Sequence, residues 1–244
     1  MQNFKIIIKY DGTNYCGWQI QPQGRTIQGE LTRVLSLLDH RPVTVHGAGR
    51  TDSGVHAEGQ AASFLLEREF EPARLRDAIN GNLDPEIRVS DVSIVEESFH
   101  ARYSAAQKTY KYQICTGPVA SPFLYRYVYH FRGPLDRASM REAAARLVGR
   151  HDFSAFTVCD SEAADHIRDL RSLEVDQQDD IAIITATADG FLRYMVRTIA
   201  GTLIDVGRGY RSPDSVRAAL EGHDRLLAGP TAPAAGLTLL RVDY

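Results

Sequence analysis

The sequence predicts an α+β fold built from two split-βαβ halves that share a mostly antiparallel sheet. Three observations predict it. Several short runs alternate apolar and polar residues with a period of two, as half-buried strands do. Between them lie stretches whose apolar residues recur at helical spacing. The first half reads strand, helix, strand, strand, helix, strand, and the second repeats the general pattern. No low-complexity linker separates the halves, expected at 1–104 and 105–244, so one continuous sheet is expected to run through both.

Taken in order, Phe4-Lys5-Ile6-Ile7-Ile8-Lys9-Tyr10 is a strand with an apolar centre, ended by Asp11-Gly12. A loop carrying Tyr15-Cys16-Gly17-Trp18-Gln19 follows. Ile27, Leu31, Val34, Leu35 and Leu38 then mark one face of a helix, with Thr26 as its expected N-cap. Val43-Thr44-Val45 is β-branched and reads as a strand, and Gln60 to Leu66 as another. Glu71-Pro72 opens a helix through Leu75 and Ile79 that stops near Gly81-Asn82-Leu83-Asp84-Pro85, and Ile87 to Val95 alternates as a strand. In the second half Lys108 to Ile114 is a strand and Arg137 to Val148 an alanine-rich helix. Arg168 to Val175 and Ile181 to Ala188 are strands. Leu192, Met195, Val196, Ile199 and Leu203 give a helix ending near Gly207 or Gly209, a shorter helix follows Pro213, and Leu237 to Tyr244 is the last strand.

The apolar fraction of 43 % and charged fraction of 24 % are those of an ordinary soluble globular protein. No apolar run is long enough to cross a bilayer, and Met1-Gln2-Asn3-Phe4-Lys5 begins a strand pattern rather than a signal peptide. Cys16, Cys115 and Cys159 are odd in number, far apart and without metal-ligand spacing. Neither a disulfide nor a metal site is expected, and a reducing cytoplasm fits. The net charge of −3 argues against a nucleic-acid partner until its distribution is read. Ser98 to Leu135 contains no acid but holds Arg102, Lys108, Lys111, Arg126 and Arg132. From Phe191 to Arg211, Arg193, Arg197, Arg208 and Arg211 face Asp205 alone. The compensating acid gathers between Asp152 and Asp180, so one surface is expected to carry a positive field.

The chemistry concentrates in Gly47-Ala48-Gly49-Arg50-Thr51-Asp52-Ser53-Gly54-Val55-His56-Ala57. Its glycines permit positive φ and close backbone approach, and a plain turn has no need of the charged pair Arg50 and Asp52. A dinucleotide loop is excluded, because Asp52 stands where its third glycine belongs. A phosphate-cradling loop lacks its Gly-Lys-Ser/Thr ending, and a serine elbow needs glycines two residues either side of Ser53, where Thr51 and Val55 stand. Asp52-Ser53-Gly54 also matches one half of an aspartic-protease dyad; no second such triplet occurs in the chain, so only a symmetric dimer would supply it.

Lys108-Thr109-Tyr110-Lys111-Tyr112 puts Lys108, Tyr110 and Tyr112 on one strand face in the acid-free zone, and Tyr110 suits stacking on a base beside phosphates. Most other aromatics between Phe99 and Phe131 are expected to pack a core. Trp18 suits either a core edge or a nucleic-acid contact. Arg193 and Arg197, four residues apart beside an apolar stripe, are expected to be partly buried, which calls for an acidic partner.

Gly49-Arg50-Thr51-Asp52-Ser53-Gly54-Val55-His56-Ala57 resembles the signature of the tRNA pseudouridine synthase A (TruA) family. The likeness continues through Tyr10-Asp11-Gly12 with Gly17-Trp18-Gln19, Phe99-His100-Ala101-Arg102, Lys108-Thr109-Tyr110-Lys111-Tyr112, Met195-Val196-Arg197 and Ala232-Pro233-Ala234-Ala235-Gly236-Leu237. The resemblance implies two ferredoxin/RRM-like halves around a catalytic cleft, and a homodimer across which one tRNA lies. It implies isomerisation of uridine to pseudouridine in the anticodon stem-loop, at tRNA positions 38, 39 and 40, with no cofactor and no metal. Asp52 matches the catalytic aspartate, Tyr110 the tyrosine that stacks on the target base, and Arg197 the arginine that pairs with the aspartate. Attack on C6 of the base, attack on C1′ of the sugar and removal of a sugar proton all remain open to Asp52. The substrate-binding set expected alongside them is Arg50, Lys108, Lys111, Trp18, Gln19, His56, Arg102 and Arg193. The acidic run of Asp160-Ser161-Glu162 and Asp165 departs from the polar or basic segment expected near such a cleft.

Overall fold

Phe4, Ile6 and Ile8 are wholly buried while Lys5 and Ile7 between them are not, so alternation along one strand sets which face of the sheet is covered there. The computed structural model describes residues 1–158 and 165–244, in two units: Met1–Ala106 with Leu239–Tyr244, and Gln107–Thr238. Asp160, Ser161, Glu162 and Cys159 lie outside the described residues. Among those described there are ten strands, mostly antiparallel, and five α-helices. No helix among them is long and apolar enough to cross a membrane.

The first unit contains β1 (Gln2–Tyr10), α1 (Ile27–Asp39), β2 (His46–Gly47), β3 (His56–Leu66), α2 (Pro72–Asn82) and β4 (Ile87–Val95). The strands order as β4-β1-β3 with β2 on β3, every pairing antiparallel. That is the split-βαβ arrangement. Ile27, Leu31, Val34 and Leu35 of α1 and Leu75 and Ile79 of α2 are fully buried, and Phe4 stacks on Phe64 at 5.9 Å. Thr26 caps α1, its side-chain oxygen accepting the Gly29 N–H at 3.2 Å. Glu71 caps α2 by accepting from Ala73 and Arg74, bonds that hold its carboxyl below the usual range.

Val43-Thr44-Val45 is not a strand, and the reason is local. The Val43 N–H is taken by Ser36 Oγ at 3.0 Å and the Val45 carbonyl by Gln28 Nε2 at 2.8 Å, both from α1. Backbone groups so used are lost to a ladder. Pairing begins only at His46, and β3 starts at His56 rather than Gln60.

The second unit holds β5 (Gln107–Cys115), β6 (Tyr129–His130), α3 (Arg137–Ala145), β7 (Gly149–Asp152), β8 (Ile167–Gln178), β9 (Ile181–Ala188), α4 (Met195–Gly207) and α5 (Ser215–Gly222). Antiparallel pairings join β5 to β9, β9 to β8 and β8 to β7, and β6 lies parallel on β5. The two shortest, β6 and β7, carry too few residues to show a period and were not expected from the sequence. Ile199, Ala200 and Leu203 of α4 and Met140 and Ala143 of α3 are buried completely. Helix α4 starts at Met195, so Leu192 precedes it, because Tyr194 has a left-handed backbone (φ 61°). The last strand, β10 (Leu237–Asp243), begins in the second unit and finishes in the first, whereas the expected division at 104/105 puts it wholly in the second half.

The expectation that the aromatics of 99–132 pack a core fails at Tyr103 and Phe123, which are 78 % and 87 % exposed, and at Tyr125. They sit in turns outside the strands, where burial of alternate residues does not operate.

Replacing Thr26 by Ala removes the cap of α1, and urea unfolding is expected to show a loss of about 1 kcal/mol.

Candidate active site

The loop carrying Asp52 is held by main chain. Gly17 (φ 86°) lies so close that a Cβ there would be 2.6 Å from the Thr51 carbonyl oxygen and 3.0 Å from the Asp52 carbonyl carbon. The Trp18 N–H donates to the Thr51 carbonyl at 3.0 Å, and Ser53 Oγ donates to the Tyr15 carbonyl at 3.1 Å. Within the loop the Val55 N–H returns to the Asp52 carbonyl at 3.1 Å. At the far side Gly12 meets Val55, whose carbonyl oxygen is 2.0 Å from where a Gly12 Cβ would stand. Residues 51–55 are thus laid backbone to backbone on residues 12–18.

Side chains complete the frame. The Tyr10 and Thr51 hydroxyls share a hydrogen bond of 2.8 Å, His56 Nδ1 accepts the Gly12 N–H at 3.1 Å, and Gln60 Nε2 donates to the Gly49 carbonyl at 3.0 Å. Asp52 itself is half-buried, and the neighbouring Arg50 is exposed, its Nε donating to Gln19 Oε1 at 3.1 Å. Burial pushes the Tyr10 phenol up, and takes that of Tyr15 to about 12, so both hydroxyls stay neutral beside the loop.

Two residues of the expected substrate-binding set are buried. Trp18 is 1 % exposed, its indole pressed onto Gly47 so closely that a Cβ there would be 2.5 Å from the ring, with Tyr10 beside it. His56 is buried and turned to Gly12. Both belong to the packing beneath the loop: a large apolar ring in a glycine-rich segment gains more from burial than from solvent. Arg102 is exposed, over the ring of Tyr103 at 5.9 Å.

In the second unit, Tyr110 lies on β5 opposite Ala186 of β9 and meets Phe191 edge to face at 5.1 Å. It is 6 % exposed, and Lys108 and Lys111 beside it are half-buried. Tyr112, on the same strand, is buried with its hydroxyl donating to the Pro233 carbonyl at 2.8 Å. Burial raises that phenol against the pull of the Arg197 charge. Arg197, half-buried as expected, donates from Nε to the Ala232 carbonyl at 2.8 Å and receives the Ala232 N–H on its own carbonyl at 3.0 Å. Arg193 is exposed, and its carbonyl accepts from Thr157 Oγ1 at 2.9 Å. Gly201, one turn further along α4, lets the Pro230 carbonyl approach where a Cβ would stand 1.8 Å away. The 229–233 segment is thereby seated on the helix that presents Arg197. Nothing local in the sequence marks Gln60, Tyr194 or Ala232 as site residues; the one signal available for Tyr194 is its spacing of one helical turn from Arg197.

Among the described residues no group of three or more His, Cys, Asp or Glu side chains could hold a metal ion. A family model described as tRNA pseudouridine synthase matches residues 6–104 and 143–244. The chain belongs to the tRNA pseudouridine synthase family. Over 244 residues it is 42 % identical to tRNA pseudouridine synthase A of Syntrophotalea carbinolica, covering 100 % of this chain and 97 % of that one. It is 42 % identical to the protein of the same name from Methylobacterium nodulans, over 100 % of this chain and 96 % of the relative. For that of Brevibacillus brevis it is 41 % identical, with both chains covered in full. Enzymes of this family are isomerases. The ranges matched by the family model take in Arg50, Asp52, Arg193 and Arg197, while Lys108, Tyr110 and Lys111 fall between them.

A Gly17→Ala change puts a side chain at positive φ and against the Asp52 backbone. Equilibrium unfolding is expected to show a loss of more than about 1 kcal/mol.

Proposed function

We propose that this protein isomerises uridine to pseudouridine in the anticodon stem-loop of tRNA, at positions 38, 39 and 40, with the carboxylate of Asp52 as its one catalytic acid group. The observation that carries the reading is the Asp52 loop itself, a carboxylate held by main chain on both sides in a chain 42 % identical along its length to a tRNA pseudouridine synthase A. The reaction detaches uracil from C1′ and rejoins it through C5, so the base must be extracted from its stack, kept while it turns, and met by an ionised group that does not drift. Extraction costs a few kcal/mol, which contacts to phosphates offset. Exposed Arg50, Arg102 and Arg193 have the charge for such contacts.

In this reading Tyr110 supplies the plate under the uracil, and its ring, closed off in the unbound protein, is uncovered as the base enters. Arg197 pairs with Asp52 and keeps it ionised, since a guanidinium favours the charged form of a carboxyl beside it. The enzyme works as a homodimer in the cytoplasm, and light scattering with and without tRNA tests the dimer.

Asp52→Ala is expected to abolish tritium release from tRNA labelled at C5 of uridine while leaving tRNA binding within about twofold of the parent, since it removes one contact among many. Substantial residual turnover would count against Asp52. Mass mapping of pseudouridine in unmodified tRNA after incubation is expected to find it at 38, 39 and 40 and nowhere else. Arg197→Lys is expected to lower turnover by about tenfold or more, because an ammonium cannot form a two-pronged pair with a carboxylate.

A further inference from the structure

Tyr194 stands between the two arginines that precede and open α4. Its backbone is left-handed (φ 61°), a conformation that brings Cβ against the following carbonyl and that glycine or asparagine adopts at lower cost. Among the described residues His40, Asp179 and His223 are the other non-glycine cases. His40 and His223 follow helix ends, where a left-handed residue is the ordinary way to terminate; Tyr194 instead precedes a helix.

The unusual backbone has a visible result. The Tyr194 carbonyl receives the Thr198 N–H at 2.9 Å and so begins the helix, while its ring is brought under charge. The guanidinium carbons of Arg193 and of Arg197 each lie 5.0 Å from the ring centroid, within the range of cation–π attraction. An arginine side chain is long and rich in rotamers, so each contact along it narrows where its end can go. Arg197 is anchored at Nε on the Ala232 carbonyl, and the tyrosine ring lies against its guanidinium. With Nε on the Ala232 carbonyl, a carboxylate is met by the terminal nitrogens, and a ring against the guanidinium narrows the directions they take.

We propose that Tyr194 is a positioning residue, whose ring orients the Arg197 guanidinium for its pairing with the catalytic carboxylate. The proposal rests on the role given to Arg197 above.

The test is steady-state turnover of tritium-labelled tRNA by Tyr194→Phe, Tyr194→Leu and Tyr194→Gly, with Arg197→Ala in the same series. Tyr194→Phe keeps the ring, and its kcat is expected within about twofold of the parent. Tyr194→Leu keeps bulk and backbone cost but has no π face. Its kcat is expected to fall about tenfold with KM for tRNA unchanged. Tyr194→Gly relieves the backbone, yet its kcat is expected to fall at least as far while its thermal midpoint does not drop below that of the leucine variant. In the Arg197→Ala background Tyr194→Leu is expected to add no further loss. Parental kcat in the leucine or glycine variant, or an undiminished loss in the Arg197→Ala background, overturns the proposal. Full activity of Arg197→Ala alone overturns the role of Arg197 itself, and is read separately.

Discussion

A lone carboxylate can act on one base only if its loop does not wander, and here that constraint is met by main chain touching main chain. Residues 51–55 rest on residues 12–18 with no side chain between them at Gly12 and Gly17. Loops held by side chains alone retain rotamer freedom; loops held by amides and carbonyls retain little. The strand that ends in Tyr10 therefore governs more than its own unit's sheet. Its terminal hydroxyl reaches Thr51, and the segment following it forms the bed on which Asp52 lies. The apolar ring of Trp18 beneath Gly47 fills the remaining space.

Elements with a clear period were legible: Ile87–Val95 and Ile181–Ala188 have the bounds that alternation predicts, and α1 begins after Thr26 as its cap requires. What was not legible depended on contacts far along the chain. Val43-Thr44-Val45 has the composition of a strand, but Ser36 and Gln28 take its backbone groups first. The same limit applies at the site. Glycines, arginine and aspartate at 47–57 announced a functional loop, whereas nothing local distinguishes a tryptophan that touches a ligand from one that seats a glycine. Tyr110 shows the same limit: its strand face is legible, but its cover, Phe191, comes only after four further strands in the chain.

Charge counting needs the same correction. The stretch from Phe191 to Arg211 holds four arginines against one acid, yet two of the four are spent inside the unit. Buried Asp205 is met by Arg208 at 3.0 Å and by Arg211 at 3.3 Å, and Arg211 also donates to the Leu227 and Ala228 carbonyls. A buried carboxylate with two guanidinium partners is a structural knot, costly to leave half made. Arg208 and Arg211 therefore add little to the positive field of this stretch. Attraction for a polyanion set by a few well-placed cations is steep in salt and local in reach.

The division of β10 has a consequence for the order in which the molecule is made. Residues 239–244 belong to the first unit: Gly59 lies against the Leu240 carbonyl, Tyr244 donates its hydroxyl to the Ala101 carbonyl, and its ring meets Phe99 at 4.9 Å. A ribosome therefore delivers Met1 to Ala106 with an open strand edge and must synthesise the entire second unit before the piece that covers it. Until then β3 offers unpaired amides to any passing strand, a hazard of every exposed edge. Cutting the gene at the boundary between the units would make that temporary exposure permanent.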